Sequence, residues 1–139
     1  MGTTNIKGGE MRISIIEDDQ LISQMYRMKL ESEGYDVDIA DNGMNGIEMV
    51  AQTKPDLIIL DYSLPDIDGS AVLREVRRNG SAKTTPVIVL TNMDSEEVAK
   101  ELSKWNIYDY IVKVDLTPRE VIARIKQALA DHAKTTDKH

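Results

Sequence analysis

Acidic residues stand at two places in the sequence, each directly after a short apolar run. Glu17, Asp18 and Asp19 follow MRISII, and Asp61 opens the stretch DYSLPDIDG after DLIIL. Two carboxylates about 4 Å apart repel each other by roughly 4 kcal/mol at an effective dielectric near 20. A pocket that gathers these acids must therefore keep one of them protonated or bind a cation. Oxygen ligands without His or Cys favour Mg²⁺, with Mn²⁺ as the alternative, over Zn²⁺.

A hydroxyl and an ammonium occupy similar positions after two further apolar runs. Thr91 ends VIVLT, and Lys113 follows YDYIV. Next to a metal-bound carboxylate, these two groups suit a tetrahedral oxyanion such as a phosphoryl group, because each can take one of its oxygens. A single acid after a strand is more often part of a solvated rim. The whole set in these positions indicates a pocket that handles phosphoryl groups.

The chain must fold so that these residues meet, and its pattern alternates between strands and helices. Apolar and β-branched runs predict five strands, at 11–16, 35–40, 56–60, 87–91 and 108–112. Amphipathic stretches predict five helices: one ending at Gly34, two at 42–53 and 69–78, one N-capped by Asp94, and one starting at Thr117-Pro118-Arg119-Glu120. Alternation of this kind predicts a doubly wound α/β fold with a parallel sheet. Sites in such folds form at the carboxyl ends of the strands.

The bulk properties predict one ordinary domain and exclude several classes of protein. The chain has 139 residues, a net charge of −7 and no cysteine. The charge argues against a general nucleic-acid binder, and no apolar run approaches the roughly 20 residues that span a bilayer. Residues 1–10 are interpreted as a flexible leader or expression remnant, residues 11–131 as the domain, and residues 132–139 as a flexible tail.

Four motifs taken in order identify a family. ISIIEDD, DLIILDYSLPDIDG, VIVLT and YDYIVK resemble the signatures of the receiver domain of two-component response regulators. The spacing of Asp61, Pro65 and Gly69 is the most specific part, and the resemblance covers about residues 11–130. It implies a five-stranded parallel sheet of flavodoxin-like order 2-1-3-4-5 with five helices.

The resemblance implies a role for each acidic position. Asp61 matches the phosphoacceptor, a carboxylate nucleophile that forms an aspartyl phosphate. Asp18 matches the direct Mg²⁺ ligand of the family's acidic pair, and Glu17 matches its partner. The backbone carbonyl of Ser63 falls at the third protein ligand. Asp19 is the frequent third acid and could equally cap the next helix.

The resemblance also implies a conformational switch. Thr91 matches the hydroxyl that moves to the phosphoryl group, Lys113 the ammonium that pairs with it, and Tyr110 the aromatic that turns inward. Lys113 is followed by Val114 where most relatives have Pro, so a cis peptide there is not expected. Met93 occupies a position that modulates phosphoryl lifetime, and we hypothesise that it shields the acylphosphate from water.

The expected partners follow from the same resemblance. They are a sensor histidine kinase or phosphotransfer protein as donor, and an output partner or effector domain that binds the surface of the fourth helix, fifth strand and fifth helix. A homodimer through that face is a further expectation, since Asp109, Glu120 and Arg124 match charges used there. We expect a cytoplasmic protein that accepts and loses its own phosphoryl group, and not an enzyme that releases a product. Asp131 departs from the basic residue usual at its position.

Three alternatives stay open beside this interpretation. A haloacid-dehalogenase-type hydrolase needs a second Asp two residues after the nucleophile, where this chain has Ser63. A flavodoxin-like cofactor binder needs a glycine-rich loop after the first strand, where this chain has acids. A degenerate receiver would keep the fold as a non-phosphorylated interaction module. In DYSLPDIDG, Asp66 is expected to be solvated and Asp68 to be a turn or helix-start residue.

Overall fold

The computed structural model describes residues 11–78 and 80–137, in which five strands alternate with five α-helices. The strands are β1 Arg12–Ile16, β2 Asp36–Ala40, β3 Leu57–Leu60, β4 Val87–Thr91 and β5 Asp109–Val112. The helices are α1 Gln20–Ser32, α2 Gly43–Thr53, α3 Gly69–Arg78, α4 Glu96–Ser103 and α5 Pro118–Asp137. Short 3-10 turns follow α3 at Gly80–Ala82 and β5 at Lys113–Asp115. None of the described helices is long and apolar enough to cross a membrane.

All strand pairs are parallel, and the sheet has the order β2-β1-β3-β4-β5. The predicted α/β fold and strand order are therefore confirmed. Strand order reverses at β1, whose neighbours are β2 on one side and β3 on the other. Because the strands run in one direction, the residues that follow β1, β3, β4 and β5 share one edge of the sheet.

Apolar residues cover both faces of the sheet, as expected for a parallel sheet between two helix layers. Every residue of β3 and of β4 is buried. One core lies under α1 and α5 and includes Ile13, Ile15, Leu30, Ile59 and Ile125. The other core lies under α2, α3 and α4 and includes Ile16, Val50, Ile58, Leu73 and Leu102. The even and odd positions of each strand thus feed opposite layers.

Two helix starts test the capping predictions with opposite outcomes. At α5 the backbone N–H of Thr117 donates to Glu120 at 2.8 Å and the N–H of Glu120 donates to the Thr117 hydroxyl at 3.2 Å, which confirms the predicted capping box. At α4 the predicted cap Asp94 is wrong. Ser95 is the N-cap, and its hydroxyl accepts from the N–H of the third helical residue.

The predicted domain bounds, residues 11 and 131, can be compared with the residues that the structure describes. The predicted leader, residues 1–10, lies outside the described residues. At the other end α5 continues to Asp137, past the predicted boundary at residue 131.

Arg77 ties the C-terminal side of α4 to α3 and to the approach of β4. Its guanidinium donates to the carbonyls of Trp105 at 2.8 Å, Asn106 at 3.0 Å, Ala82 at 2.9 Å and Thr85 at 2.7 Å. Asn106 has a φ of +60°, a left-handed conformation that is typical of the residue after a helix. Four carbonyls on two loops are therefore held by one side chain.

Candidate functional site

The sheet brings four of the predicted residues to one edge. Ile16 and Leu60 are paired in the sheet, so Glu17 and Asp61 leave β1 and β3 side by side, with the N–H of Asp61 donating to the Ile16 carbonyl at 3.0 Å. Thr91 ends β4 in register with Val112, after which Lys113 leaves β5. The strand-end rule thus places the acids, the hydroxyl and the ammonium at the same edge.

Three acids form a group whose oxygens are close enough to share one cation. One carboxylate oxygen each from Glu17, Asp18 and Asp61 lies within 4.8 Å of the others. Glu17 is 4 % exposed and Asp61 is 6 % exposed, while Asp18 is exposed to solvent. Two buried oxygen ligands and one open side fit a hard cation that keeps part of its water, as Mg²⁺ does.

Lys113 supplies the positive charge of this pocket. Its ammonium donates to Glu17 Oε1 at 2.8 Å and to Asp61 Oδ2 at 3.4 Å, and its side chain is 12 % exposed. Burial lowers the pKa of Lys113, but the hydrogen bond with Glu17 and the charge of Asp61 outweigh it and the pKa is raised. Lys113 is therefore a permanent cation in the pocket.

One ammonium does not neutralise three carboxyl groups. Burial raises the pKa of Glu17 to about 7, and the bond from Lys113 offsets only part of this effect. The charge of Asp61 acts in the same direction as burial. Without a further cation Glu17 is therefore partly protonated near neutral pH, because burial disfavours its charged form and the charge of Asp61 adds to this effect.

The two predicted switch residues, Thr91 and Tyr110, both bind the backbone of Met93. The fully buried hydroxyl of Thr91 accepts from the N–H of Met93 at 3.1 Å. The hydroxyl of Tyr110 donates to the carbonyl of Met93. Sequence reasoning missed this link, because a backbone group has no signature in the residue type. The link places both side chains on the loop between β4 and α4.

The structure places the N–H of Ser63 beside the carboxylate of Asp61. That N–H donates to Asp61 Oδ1 at 3.1 Å. The role of the Ser63 carbonyl as a metal ligand stays a prediction. The peptide bonds of the described residues, including the one between Lys113 and Val114, are trans. Val114 is 84 % exposed, so the residue that replaces the family's Pro faces solvent.

The remaining acids near the site act on helix N-termini. Asp19 caps α1 by accepting from Leu21 at 3.0 Å and from the next N–H, and Asp68 accepts from Ala71 at 2.9 Å at the start of α3, as predicted. Asp66 is exposed to solvent, as predicted. Its exposed carboxylate accepts from two backbone N–H groups at the start of α2, a contact between distant segments that no local pattern signals.

The charges on β5 and α5 that were expected to serve a dimer are paired within the chain. Arg124 forms an ion pair with Asp109, and Glu120 caps α5. Asp131, at the position where a basic residue was expected, accepts a hydrogen bond from the hydroxyl of Tyr108 at 2.6 Å. This bond is the main reason that the pKa of Tyr108 is raised to about 12. The residues expected to serve a dimer thus have intramolecular partners in the single chain.

Comparisons of sequence agree with the geometry. A model of the response regulator receiver domain matches residues 13–126. The transcriptional regulatory protein ResD of Bacillus subtilis is 36 % identical over 127 residues, which is 91 % of this chain and 51 % of that protein. The response regulator ArlR of Staphylococcus saprophyticus is 38 % identical over 119 residues, which is 85 % of this chain and 52 % of that protein. The chain thus spans about half the length of these curated relatives.

Comparisons of structure give the same answer. A CheY-like response regulator receiver domain protein from Methanospirillum hungatei superposes with a TM-score of 0.85 at 28 % identity, covering 91 % of this chain and 99 % of that one. The BeF3-activated receiver domain of RstA from Klebsiella pneumoniae superposes with a TM-score of 0.76 at 30 % identity, covering 85 % of this chain and 97 % of that one. The strand order, the strand-end residues and the relatives all point to one family.

Proposed function

The chain belongs to the response regulator receiver domain family, and on that premise we propose that Asp61 accepts a phosphoryl group. The observation that carries the proposal is the buried pair of Asp61 and Glu17 with Asp18 within reach and Lys113 in contact with both buried acids. The donor is a sensor histidine kinase or a phosphotransfer protein. The proposed setting is the cytoplasm, where such kinases present their phosphorylated histidine.

In the proposed step a carboxylate oxygen of Asp61 forms a bond to the phosphorus of the donor. The bond between phosphorus and the donor nitrogen breaks, its electron pair stays on that nitrogen, and the nitrogen takes up a proton. Loss of the group is the attack of water on the same phosphorus, which returns the Asp61 carboxylate and releases inorganic phosphate. The chain is therefore the acceptor and not an enzyme that acts on a separate substrate.

Charge neutralisation is what the pocket contributes to this step. Mg²⁺, which Glu17, Asp18, Asp61 and the Ser63 carbonyl would hold, supplies charge neutralisation at the phosphoryl oxygens. Mn²⁺ suits the same oxygen ligands. Lys113 already lies 3.4 Å from Asp61 Oδ2 and so stands where a phosphoryl oxygen would be paired.

The switch is proposed to run through the loop that Thr91 and Tyr110 hold. The Thr91 hydroxyl accepts one hydrogen bond from Met93 and still has its own proton to donate to a phosphoryl oxygen. Movement of Thr91 toward that oxygen would pull on Met93, whose carbonyl binds Tyr110. A two-state shift of the surface formed by α4, β5 and α5 would follow.

That surface is the proposed docking face for an output partner, an effector domain or a second copy of the chain. In a homodimer the ion pair of Arg124 and Asp109 would be exchanged for contacts with the partner or kept within the chain. Sedimentation with and without a phosphate analogue tests the dimer. A monomer under both conditions at tens of micromolar would remove it.

One experiment tests the proposed chemistry directly. The protein is incubated with Mg²⁺ and acetyl phosphate or phosphoramidate, and intact-mass spectrometry is used to detect a single added phosphoryl group that is stable in acid and labile in base. We expect the adduct in the wild type and its loss in Asp61→Asn. The matched control is Asp36→Asn, at the amino end of β2 and away from the pocket.

Two outcomes would overturn the proposal. No adduct in the wild type would favour the degenerate receiver, an interaction module that is not phosphorylated. An adduct that persists in Asp61→Asn would move the acceptor to another residue.

A further inference from the structure

The carboxylate of Asp66 bridges two segments that are distant in sequence. Asp66 Oδ1 accepts from the N–H of Gly43 at 2.7 Å and Oδ2 accepts from the N–H of Met44 at 2.9 Å. These are the first two residues of α2, and their N–H groups have no partner inside the helix. The hydrogen bonds from Met44 and Gly43 lower the pKa of Asp66, although its side chain is exposed. Asp66 is therefore an anion held by a helix start.

The two segments are also in close steric contact at this point. A Cβ built on Gly43 would lie 2.5 Å from Cγ1 of Ile67 and 2.9 Å from Cγ2 of Val72. Atoms do not approach so closely, so a side chain at residue 43 would force Ile67, Val72 or the start of α2 to shift. The start of α2 is therefore packed closely against the residue that follows Asp66.

The other hydrogen bonds of this loop are local. The N–H of Ser63 donates to Asp61, the N–H of Gly69 donates to the Tyr62 carbonyl at 2.7 Å, and Asp68 caps α3. Such bonds shape the loop but do not fix it against the rest of the domain. Among the hydrogen bonds of residues 62–68 in the described part of the chain, those of Asp66 are the ones that reach an element other than the adjoining α3.

We propose that Asp66 is a positioning residue for the metal side of the pocket. By tying the loop to the start of α2, it holds the Ser63 carbonyl at the distance from Asp61 that a Mg²⁺ ligand requires. Asp66 itself touches neither the cation nor the phosphoryl group. The inference rests on the proposed function, since it assigns a role in the same metal site. Partners that orient metal ligands in this way change metal affinity by about 10- to 100-fold when they are removed.

The test compares Asp66→Asn with Glu48→Gln. Both variants remove one exposed negative charge, and Glu48 lies on α2 without a hydrogen bond to the loop. An asparagine presents its NH₂ to one of the two backbone N–H groups, so at least one bond is lost. We expect Mg²⁺ affinity measured by isothermal titration calorimetry to fall about tenfold in Asp66→Asn. It should stay at the wild-type value in Glu48→Gln.

Phosphorylation kinetics separate positioning from a general loss of structure. In Asp66→Asn the Mg²⁺ concentration for half-maximal phosphorylation by acetyl phosphate should rise by the same factor, while the rate at saturating Mg²⁺ stays near that of the wild type. Gly43→Ala is the second variant, because it opens the same contact from the α2 side and leaves every acid in place. The amide proton signals of residues 43 and 44 in NMR spectra report whether the bridge is broken.

The outcomes distinguish this inference from the proposed function. Failure of the wild type to bind Mg²⁺ would contradict the metal site itself. The positioning role of Asp66 is overturned if Asp66→Asn and Gly43→Ala bind Mg²⁺ as well as the wild type although NMR shows that the bridge is broken. The phosphoacceptor proposal would stand in that case. A loss of the saturated rate with unchanged Mg²⁺ affinity would also overturn the positioning role.

Discussion

Asp61 and Asp66 lie in the same short loop and have opposite surroundings. Asp61 is 6 % exposed, faces two other acids and has one ammonium at 3.4 Å. Asp66 is exposed, faces no other acid at its bridge and accepts two backbone N–H groups at 2.7 Å and 2.9 Å. Burial alone would predict the buried carboxylate to be the structural one, and the contacts indicate the reverse.

The difference lies in how far each carboxylate is already satisfied. The negative charge of Asp66 is stabilised by two backbone N–H donors and by the partial positive charge at the start of α2. No further cation is needed at this carboxylate. The pocket around Asp61 holds three carboxyl groups and one ammonium, and burial, with a smaller contribution from the charge of Asp61, raises the Glu17 pKa to about 7. The proposed reaction site therefore differs from the structural contact at Asp66 in that its negative charge is only partly neutralised.

The largest effect is expected from removing the cation of the pocket. Lys113→Gln should lower the rate of phosphorylation by acetyl phosphate by about 100-fold, because a charged donor to the transferred group is lost. Lys83→Gln, at an exposed position with no contact to the pocket, is the control. A wild-type rate of phosphorylation in Lys113→Gln would mean that the reaction does not depend on the ammonium. It would contradict the contrast drawn between Asp61 and Asp66.

The second expected effect is a pH dependence of the free energy of unfolding that arises from Glu17 in the pocket. The pKa of Glu17 rises from 4.5 to about 7 on folding. Between these values the folded state binds more protons than the unfolded state, so the free energy of unfolding decreases as pH rises from about 4.5 to about 7, by at most roughly 3 kcal/mol. Glu17→Gln should flatten this slope in urea unfolding without divalent cations.

Glu48→Gln is the control for the pH experiment, because Glu48 is exposed on α2. Its slope should match that of the wild type. An unchanged slope in Glu17→Gln would show that the pocket is not the titrating site. Asp66 contributes in the opposite sense, since its lowered pKa makes the bridge most stable at neutral pH and weakens it in acid.

A smaller effect concerns water at the two carboxylates. Met93 is 39 % exposed beside the pocket, and its side chain is expected to shield the acylphosphate on Asp61. If this shielding is worth about 1 kcal/mol of barrier, Met93→Ala should speed dephosphorylation on the order of fivefold. The decay of the isolated phosphoprotein measures it, with Met28→Ala on α1 as the control. Decay no faster than in the wild type would disprove the shielding.

The smallest effect is expected at a buried hydroxyl that has no hydrogen-bond partner among the described residues. Ser14 is fully buried on β1, and its hydroxyl has no hydrogen-bond partner among the described residues. Ser14→Ala should raise the free energy of unfolding by about 1 kcal/mol, because the cost of burying the hydroxyl disappears. Ser23→Ala removes a buried hydroxyl that donates to the Gln20 carbonyl, so it should not stabilise. A destabilised Ser14→Ala would indicate a hidden partner.

The sequence predicted the fold well because local patterns and the parallel topology agree. Apolar runs predicted β3 and β4, the capping box at Thr117 predicted the start of α5, and the strand-end rule predicted where Glu17 and Asp61 meet. The cap of α4 was mispredicted because Asp94 and Ser95 are both good caps. The choice between them depends on the path of the preceding loop, which Thr91 and Tyr110 fix through Met93.

Two of the contacts that sequence reasoning missed join a side chain to backbone groups of other segments. Asp66 finds the first N–H groups of α2, and Arg77 finds four carbonyls on two loops. A residue type identifies a side chain that can donate or accept, but every residue offers a backbone partner. Only the assembled chain determines which backbone group is near, so neither contact leaves a pattern in the sequence.

The carbonyls that Arg77 holds give α4 one fixed end. Arg77 donates to the carbonyls of Trp105 and Asn106, just beyond the C-terminus of the helix. The N-terminus of the helix follows the loop in which the Met93 carbonyl accepts from Tyr110. The helix has eight residues and so is about 12 Å long. In the proposed switch, displacement of Met93 would move the N-terminal end of α4 while its C-terminal end stays held at Asn106. The exposed surface would then move most near the pocket, so a partner that responds to this motion would bind best at the N-terminal turn of α4.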